Sequence, residues 1–243
     1  MNLKVESARF LLSYFWWIIE PLLFVSIFYI VFEIFLKTSK NNFLLFLVCG
    51  KIPFLWFQKT VTYACSSITR NKDIIVSVNV PKFIFPIICV HEVLYKQWAV
   101  FLVMLSVVLV YKEYPSNLWL MLLPLFFLQY IFTLASSLIS SLMVAFLNDI
   151  VMIINMAMMF IMFVSGIFWD INSIQNEKLK EIIFAINPVA FIIDCYRQIL
   201  MYDQMFSMNY YIYTLITSLI LLFFSLFLFK IFNFNIVNKI INQ

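Results

Sequence analysis

His91, Glu92 and Lys96 fall within one apolar run, and they are the densest group of titratable side chains there. A proton relay needs such groups within hydrogen-bond reach of one another. Glu92 and Lys96 stand in the favourable i,i+4 order for a helical ion pair. A single histidine with no second acid beside it points to pairing against a helix bundle rather than to a relay. Asp194 and Arg197, three residues apart, would share a helix face, and Asn187 followed by Pro188 reads as a cap and a first helical residue. Glu20 sits beside Pro21 just after Trp16 and Trp17, at the mouth of a long apolar run. A charge at the centre of a span costs ~2.5–3.5 kcal/mol and less near an end. Glu20 therefore either faces protein or water along a path, or snorkels at the interface; the residues alone leave both open. The tryptophans favour the headgroup zone, and Pro21 kinks the first turns.

Other chemistry is excluded. The chain has only two glycines, Gly50 and Gly166, and one histidine. A phosphate-cradling loop, a dinucleotide fingerprint and a two-histidine zinc motif cannot be written with these residues, and neither can a nucleophile elbow. Any nucleotide hydrolysis has to take place on another chain. Cys49, Cys65, Cys89 and Cys195 lie far apart without metal or redox spacing, which predicts free thiols.

The elements that would carry these residues are membrane helices. Apolar residues make up 65% of the 243 positions and charged residues 12%, with a mean hydropathy of +1.01. Soluble domains are about 45–50% apolar and about 25% charged. The expected fold is one all-α integral membrane domain over residues 1–243, with six spans near 15–36, 43–63, 84–111, 118–144, 150–168 and 209–232. Residues 2–14 read as a short interfacial helix. The apolar run from Phe10 to Leu36 is longer than a cleavable signal core, so the first span is expected to stay. A slight excess of Lys and Arg on one side places the N-terminus in the cytoplasm. The net charge of +4 is dispersed, giving no reason to expect nucleic acid as a partner.

Two connections stand out. Residues 66–86, "SSITRNKDIIVSVNVPKFIFP", read either as a short amphipathic helix offered to a cytoplasmic partner or as a solvated loop with a hydrophobic foot. Residues 168–200 carry two short helices in which Ile171, Leu179, Ile182, Ile183 and Ile186 form an apolar arc. Neither reaches spanning length, so an interfacial or re-entrant pair is expected.

Three stretches, in order, resemble the permease subunit of type-2 ABC exporters, and among these the permeases that export O-antigen or capsular polysaccharide. "LLSYFWWIIEPLLF" is similar to L-G-x-L-W-W-x-x-x-P-L. "NKDIIVSVNVPKFIFPI" resembles N-x-x-L-[IV]-x-K-[IV]-x-F-P-[RK]-x-[IL]-x-P. "INPVAFIIDCYRQIL" is similar to N-P-[LV]-x-x-[LI]-[IV]-[ED]-x-[YF]-R-x-x-[LI]. The chain departs from the pattern in lacking the glycine of the first stretch, in Ser77 and Val80 of the second, and in a shortened basic run before the tryptophans.

The resemblance implies a homodimer that docks two copies of a cytoplasmic ABC ATPase, which would bind ATP and Mg; no cofactor or metal is expected in this chain. It implies a lipid-linked glycan as cargo and a multi-pass place in the bacterial inner membrane, with both termini cytoplasmic. Tyr14, Trp16, Glu20, Phe24, Phe28, Phe160, Phe163 and Phe168 would line the substrate path, where sugars dock on ring faces. Arg70, Lys72, Ile74, Ile75 and Val76 would couple to the ATPase. Asn187, Pro188, Asp194 and Arg197, within residues 171–200, would form an outer gate. The alternatives are another substrate of the same exporter class (a teichoic acid, a drug or a small lipid) or a membrane-embedded glycan-modifying enzyme. An ion channel lacks the recurrent polar pore face it would need.

Overall fold

The computed structural model describes residues 19–20, 22–23, 26–27, 29–35, 42–111 and 114–241. The expected interfacial helix at 2–14, together with Tyr14, Trp16, Trp17, Pro21, Phe24 and Phe28, lies outside the described residues. Those described form an all-α membrane protein, with no strand among them. The helical residues described between 19 and 35, closing in the π-helical turn Ile30–Phe35, are called α1. There follow α2 (Phe43–Cys65), α3 (Ser67–Arg70), α4 (Lys72–Ser77), α5 (Ile84–Tyr111), α6 (Leu122–Phe146, led in by the 3-10 turn Asn117–Met121) and α7 (Ile150–Val164). A 3-10 turn, Ile171–Ser173, then precedes α8 (Glu177–Ile186), α9 (Pro188–Leu200) and α10 (Met208–Ile241).

Four of the described helices are long and apolar enough to cross a membrane: α2, α5, α6 with its lead-in, and α10. The 23 residues of α2 rise ~35 Å, enough for ~30 Å of hydrocarbon. It is also the most enclosed of them, packed by α5, α6, α7 and α9. Trp56, buried at its middle, stacks on Phe126 at 4.6 Å and meets Phe101 edge-on at 5.8 Å, tying α2 to α5 and α6. Pro53 interrupts the helix's own ladder, and the carbonyl of Pro53 accepts a hydrogen bond from Gln129 Nε2 of α6 at 2.8 Å.

The expected span over 150–168 is corrected. Its helix, α7, stops at Val164 because Gly166 adopts φ 72°, the left-handed conformation that ends helices. Fifteen residues rise only ~22 Å, short of the ~30 Å core. Helices α8 and α9 bend by 111° at Asn187, so neither is read as a spanning segment. The apolar arc expected over this pair divides: Ile171 is buried and Ile183 packs on the core. Leu179, Ile182 and Ile186 are exposed, while α8 also buries Phe184 against Phe191 and Tyr210.

Candidate functional site

The corner where α7 ends and α9 begins is built around one guanidinium. Asn187 caps α9 by accepting from the Ala190 N–H at 3.2 Å, while its Nδ2 donates to Ser165 Oγ at 2.9 Å. Pro188 follows at the first helical position, which needs no N–H donor. Nearly three turns later on α9, Arg197 is 2% exposed. Its Nη1 donates to the Gly166 carbonyl at 2.7 Å and its Nη2 to that of Ile167 at 2.9 Å. Nε and Nη2 both reach the Phe46 carbonyl on α2 at 3.3 Å, and the guanidinium lies 3.4 Å from the centroid of the Phe46 ring. A fixed planar fork is the side chain that can satisfy three carbonyls and a ring face together. Arg197 thus pins α9 to α2 and to the turn that ends α7.

The expected Asp194–Arg197 contact does not form. The two share a helix face, but Arg197 turns to backbone carbonyls and Asp194 Oδ1 accepts from Asn172 Nδ2 at 2.7 Å. Asn172 Oδ1 in turn accepts from Lys180 of α8. Asp194 therefore meets a cation through an intervening amide, and the chain Asp194–Asn172–Lys180 fastens α9 to the 3-10 turn and to α8. Burial pushes the Asp194 carboxyl up, offset in part by the Asn172 hydrogen bond. Burial also lowers Arg197 to about 10, which leaves it charged at neutral pH.

Of the expected path residues, Glu20, Phe160, Phe163 and Phe168 are described. Glu20 Oε2 accepts from Lys59 Nζ at 2.6 Å, a pair left 50% and 38% exposed. Phe160 and Phe163 are exposed on α7. Phe168, in the turn after α7, lies tilted 5.5 Å from the Phe163 ring and packs on the Phe43, Phe46 and Leu47 cluster, the same cluster whose Phe46 holds Arg197. Tyr14, Trp16, Phe24 and Phe28 lie outside the described residues.

The segment expected to couple to an ATPase breaks into two short helices, and its residues divide between buried and exposed. Ile75 is 2% exposed and buried against Leu142 and Phe229, so it anchors α4 to this chain and is not available to a partner. Arg70 folds back, donating to the Tyr63 carbonyl at 2.5 Å and lying 4.2 Å from the Tyr63 ring centroid. Ile74, Val76 and Val78 are exposed, and Lys72 is half-buried at the start of α4.

Glu92 too reaches a neighbouring helix. Glu92 Oε2 accepts from the Tyr63 hydroxyl at 3.0 Å. His91 Nδ1 lies 2.9 Å from the Ile87 carbonyl, which can only accept, so Nδ1 carries the proton. Nε2 is then left to accept from the Tyr130 hydroxyl at 3.1 Å. His91 is exposed, and through Tyr130 it links α5 to α6.

No protein-family model matches the chain. Among curated proteins, two O-antigen export system permease proteins RfbA of Klebsiella pneumoniae are each 29% identical over 201 residues, 82% of this chain and 77% of theirs. The O-antigen export system permease protein RfbA of Myxococcus xanthus is 24% identical over 200 residues, 82% of this chain and 76% of its own. The chain is similar to these O-antigen export permeases over about four fifths of its length. In this chain the sequence pointed to Asn187 and Arg197 but not to what receives them. Gly50, the carbonyls after α7, Lys59 and the Asn172 bridge became visible only in three dimensions. The available signal was ionisable residues inside a span: Lys51, buried with its Nζ 3.0 Å from Met162 Sδ, and Lys59 both interrupt the α2 run.

Proposed function

We propose that this chain is the membrane-spanning subunit of an ATP-driven exporter that moves a lipid-linked, O-antigen-like glycan across the bacterial inner membrane. The observation that carries the reading is the likeness to O-antigen export permeases over 82% of the chain. Glycines as far apart as Gly50 and Gly166 cannot build a phosphate-binding loop. The energy would therefore come from two copies of a separate ATPase, which bind the ATP and Mg, docked on a homodimer of this chain with both termini cytoplasmic. The ATPase docks on the exposed edge Ile74, Val76 and Val78, with Lys72 at its rim. The glycan passes along rings that include Phe160, Phe163 and Phe168, and the α8–α9 corner, held by Asn187 and Arg197, closes the outer end. The chain itself performs no covalent chemistry.

Deleting the gene should strip O-antigen-like glycan from the cell surface and leave its lipid-linked form inside, with the full-length chain restoring export. A tagged chain should bring the ATPase through purification. Normal surface glycan in the deletion strain would overturn the substrate class. Loss of export with no ATPase bound would overturn the ATP-driven reading alone.

A further inference from the structure

One face of α2 runs Leu44, Val48, Ile52, Leu55, Lys59 and Thr62 at three- and four-residue steps. It changes from aliphatic to polar halfway along. Against the aliphatic half lies a mostly apolar cavity of about 270 Å³, bounded by Leu22, Tyr29 and Ile30 of α1, Val48 and Ile52 of α2, and Val103 and Val107 of α5. The Ser26 hydroxyl at its wall is taken up by the Leu22 carbonyl at 2.8 Å. Lys59 is seven residues beyond Ile52, ~10 Å along the helix.

Such a wall repels water and sugar hydroxyls alike, since a buried hydroxyl without a partner is costly. The volume lies just under the ~300–1,000 Å³ of ordinary small-ligand pockets, room for one aliphatic chain. The polar half offers both signs at once. Glu20 and Lys59 touch at 2.6 Å yet remain 50% and 38% exposed, leaving each able to take a second partner. A purely anionic head would gain Lys59 but meet the Glu20 carboxylate. A head bearing phosphate and ammonium satisfies both, with charge-assisted hydrogen bonds to each.

We propose that the α1–α2–α5 groove seats one aminophospholipid of the surrounding bilayer. One of its acyl chains fills the cavity, its phosphate lies beside Lys59 and its ammonium beside Glu20. The head then stands toward the Cys65 end of α2 and the tail toward mid-membrane, the orientation of a lipid in the leaflet at that end. This seat stands independently of the export reading, because bilayer lipid is present whatever the cargo.

The test uses the full-length chain in nanodiscs of equal phosphatidylethanolamine and phosphatidylglycerol, exchanged into detergent, with retained lipid identified by mass spectrometry. Wild type should retain phosphatidylethanolamine in preference. Lys59→Met should lose that preference, and Val48→Trp and Val103→Trp, which fill the cavity from two different helices, should lose retention while the chain stays monodisperse. Retention of phosphatidylglycerol instead, co-purification of a prenyl-phosphate carrier in its place, or equal retention by wild type and both tryptophan variants would overturn the assignment.

Discussion

A Cβ on Gly50 would stand 2.5 Å from Nη2 of Arg197. Gly50 is therefore needed for the space it leaves on α2, through which the guanidinium reaches the Phe46 carbonyl. The chain's other glycine, Gly166, supplies a carbonyl to the same side chain and the left-handed turn that ends α7. Both glycines of this sequence serve one arginine.

Gly50→Ala should force Arg197 out of its seat. Overpacking a fitted interior costs typically ~1–3 kcal/mol, and the purified chain should melt lower by a corresponding amount. Gly166→Ala combines a left-handed backbone, ~1–2 kcal/mol for a residue with a Cβ, with a contact to Ile171 at 2.7 Å. Unchanged melting in both variants would remove the seat from the account.

Arg197→Lys should fail almost as badly as Arg197→Met. Lysine keeps the charge but cannot present parallel N–H groups to the carbonyls of Gly166, Ile167 and Phe46. Each buried carbonyl left without a donor costs ~1–3 kcal/mol. Export from the Lys variant close to wild type would mean that charge alone is what counts at this corner.

Asp194→Asn should be tolerated and Asp194→Ala should not. The amide oxygen can still accept from Asn172, and the neutral side chain escapes the desolvation that raises the carboxyl's pKa. The sign follows: a raised pKa means the folded state favours the protonated form, so this group's contribution is present at low pH. It is lost as pH rises through the folded value. Melting of the wild type should fall over that interval relative to Asp194→Asn, whose curve should be flatter. A charge-swapped Asp194→Arg, Arg197→Asp chain should not recover function, because the two residues bind different partners. Recovery would restore a direct pair.

The helical class, the long spans and the cap at Asn187 were legible because they depend on local pattern: apolar run length, a proline and the residue before it. The partners of charged side chains were not. Spacing places Asp194 and Arg197 on one face, but whether they touch depends on what packs against that face, and three carbonyls from α2 and the turn after α7 outcompete a carboxylate. Glu92 went the same way, meeting Tyr63 on α2. The end of α7 was misread because the apolar run continues through Ile167 and Phe168, while one positive φ at Gly166 stops the helix inside it.

Topology can be tested away from the native thiols, since Cys65 and Cys195 are fully buried and would not label from either side. Ser77 and Ser207 are exposed. Ser207→Cys should react with a membrane-impermeant maleimide in intact cells, and Ser77→Cys only after the membrane is opened. The reverse pattern would invert the orientation.

Neighbouring residues of α4 should behave oppositely. Ile75 is enclosed by Leu142 of α6 and Phe229 of α10, so Ile75→Asp buries a carboxylate without a partner and should prevent stable insertion. Ile74 and Val76 are 49% and 51% exposed. Ile74→Asp and Val76→Asp should leave expression, insertion and melting close to wild type, since substitutions of exposed residues usually move stability by within ~0.5 kcal/mol. If these two side chains are the apolar anchors of the ATPase contact, the same variants should lose the ATPase on purification, because a few buried apolar residues dominate an interface while its charged rim contributes little. Lys72→Ala should then weaken copurification only slightly. Full ATPase recovery with Val76→Asp and Ile74→Asp together would move the docking surface off α4. Normal insertion of Ile75→Asp would show that α4 is free of α6 and α10 in the membrane.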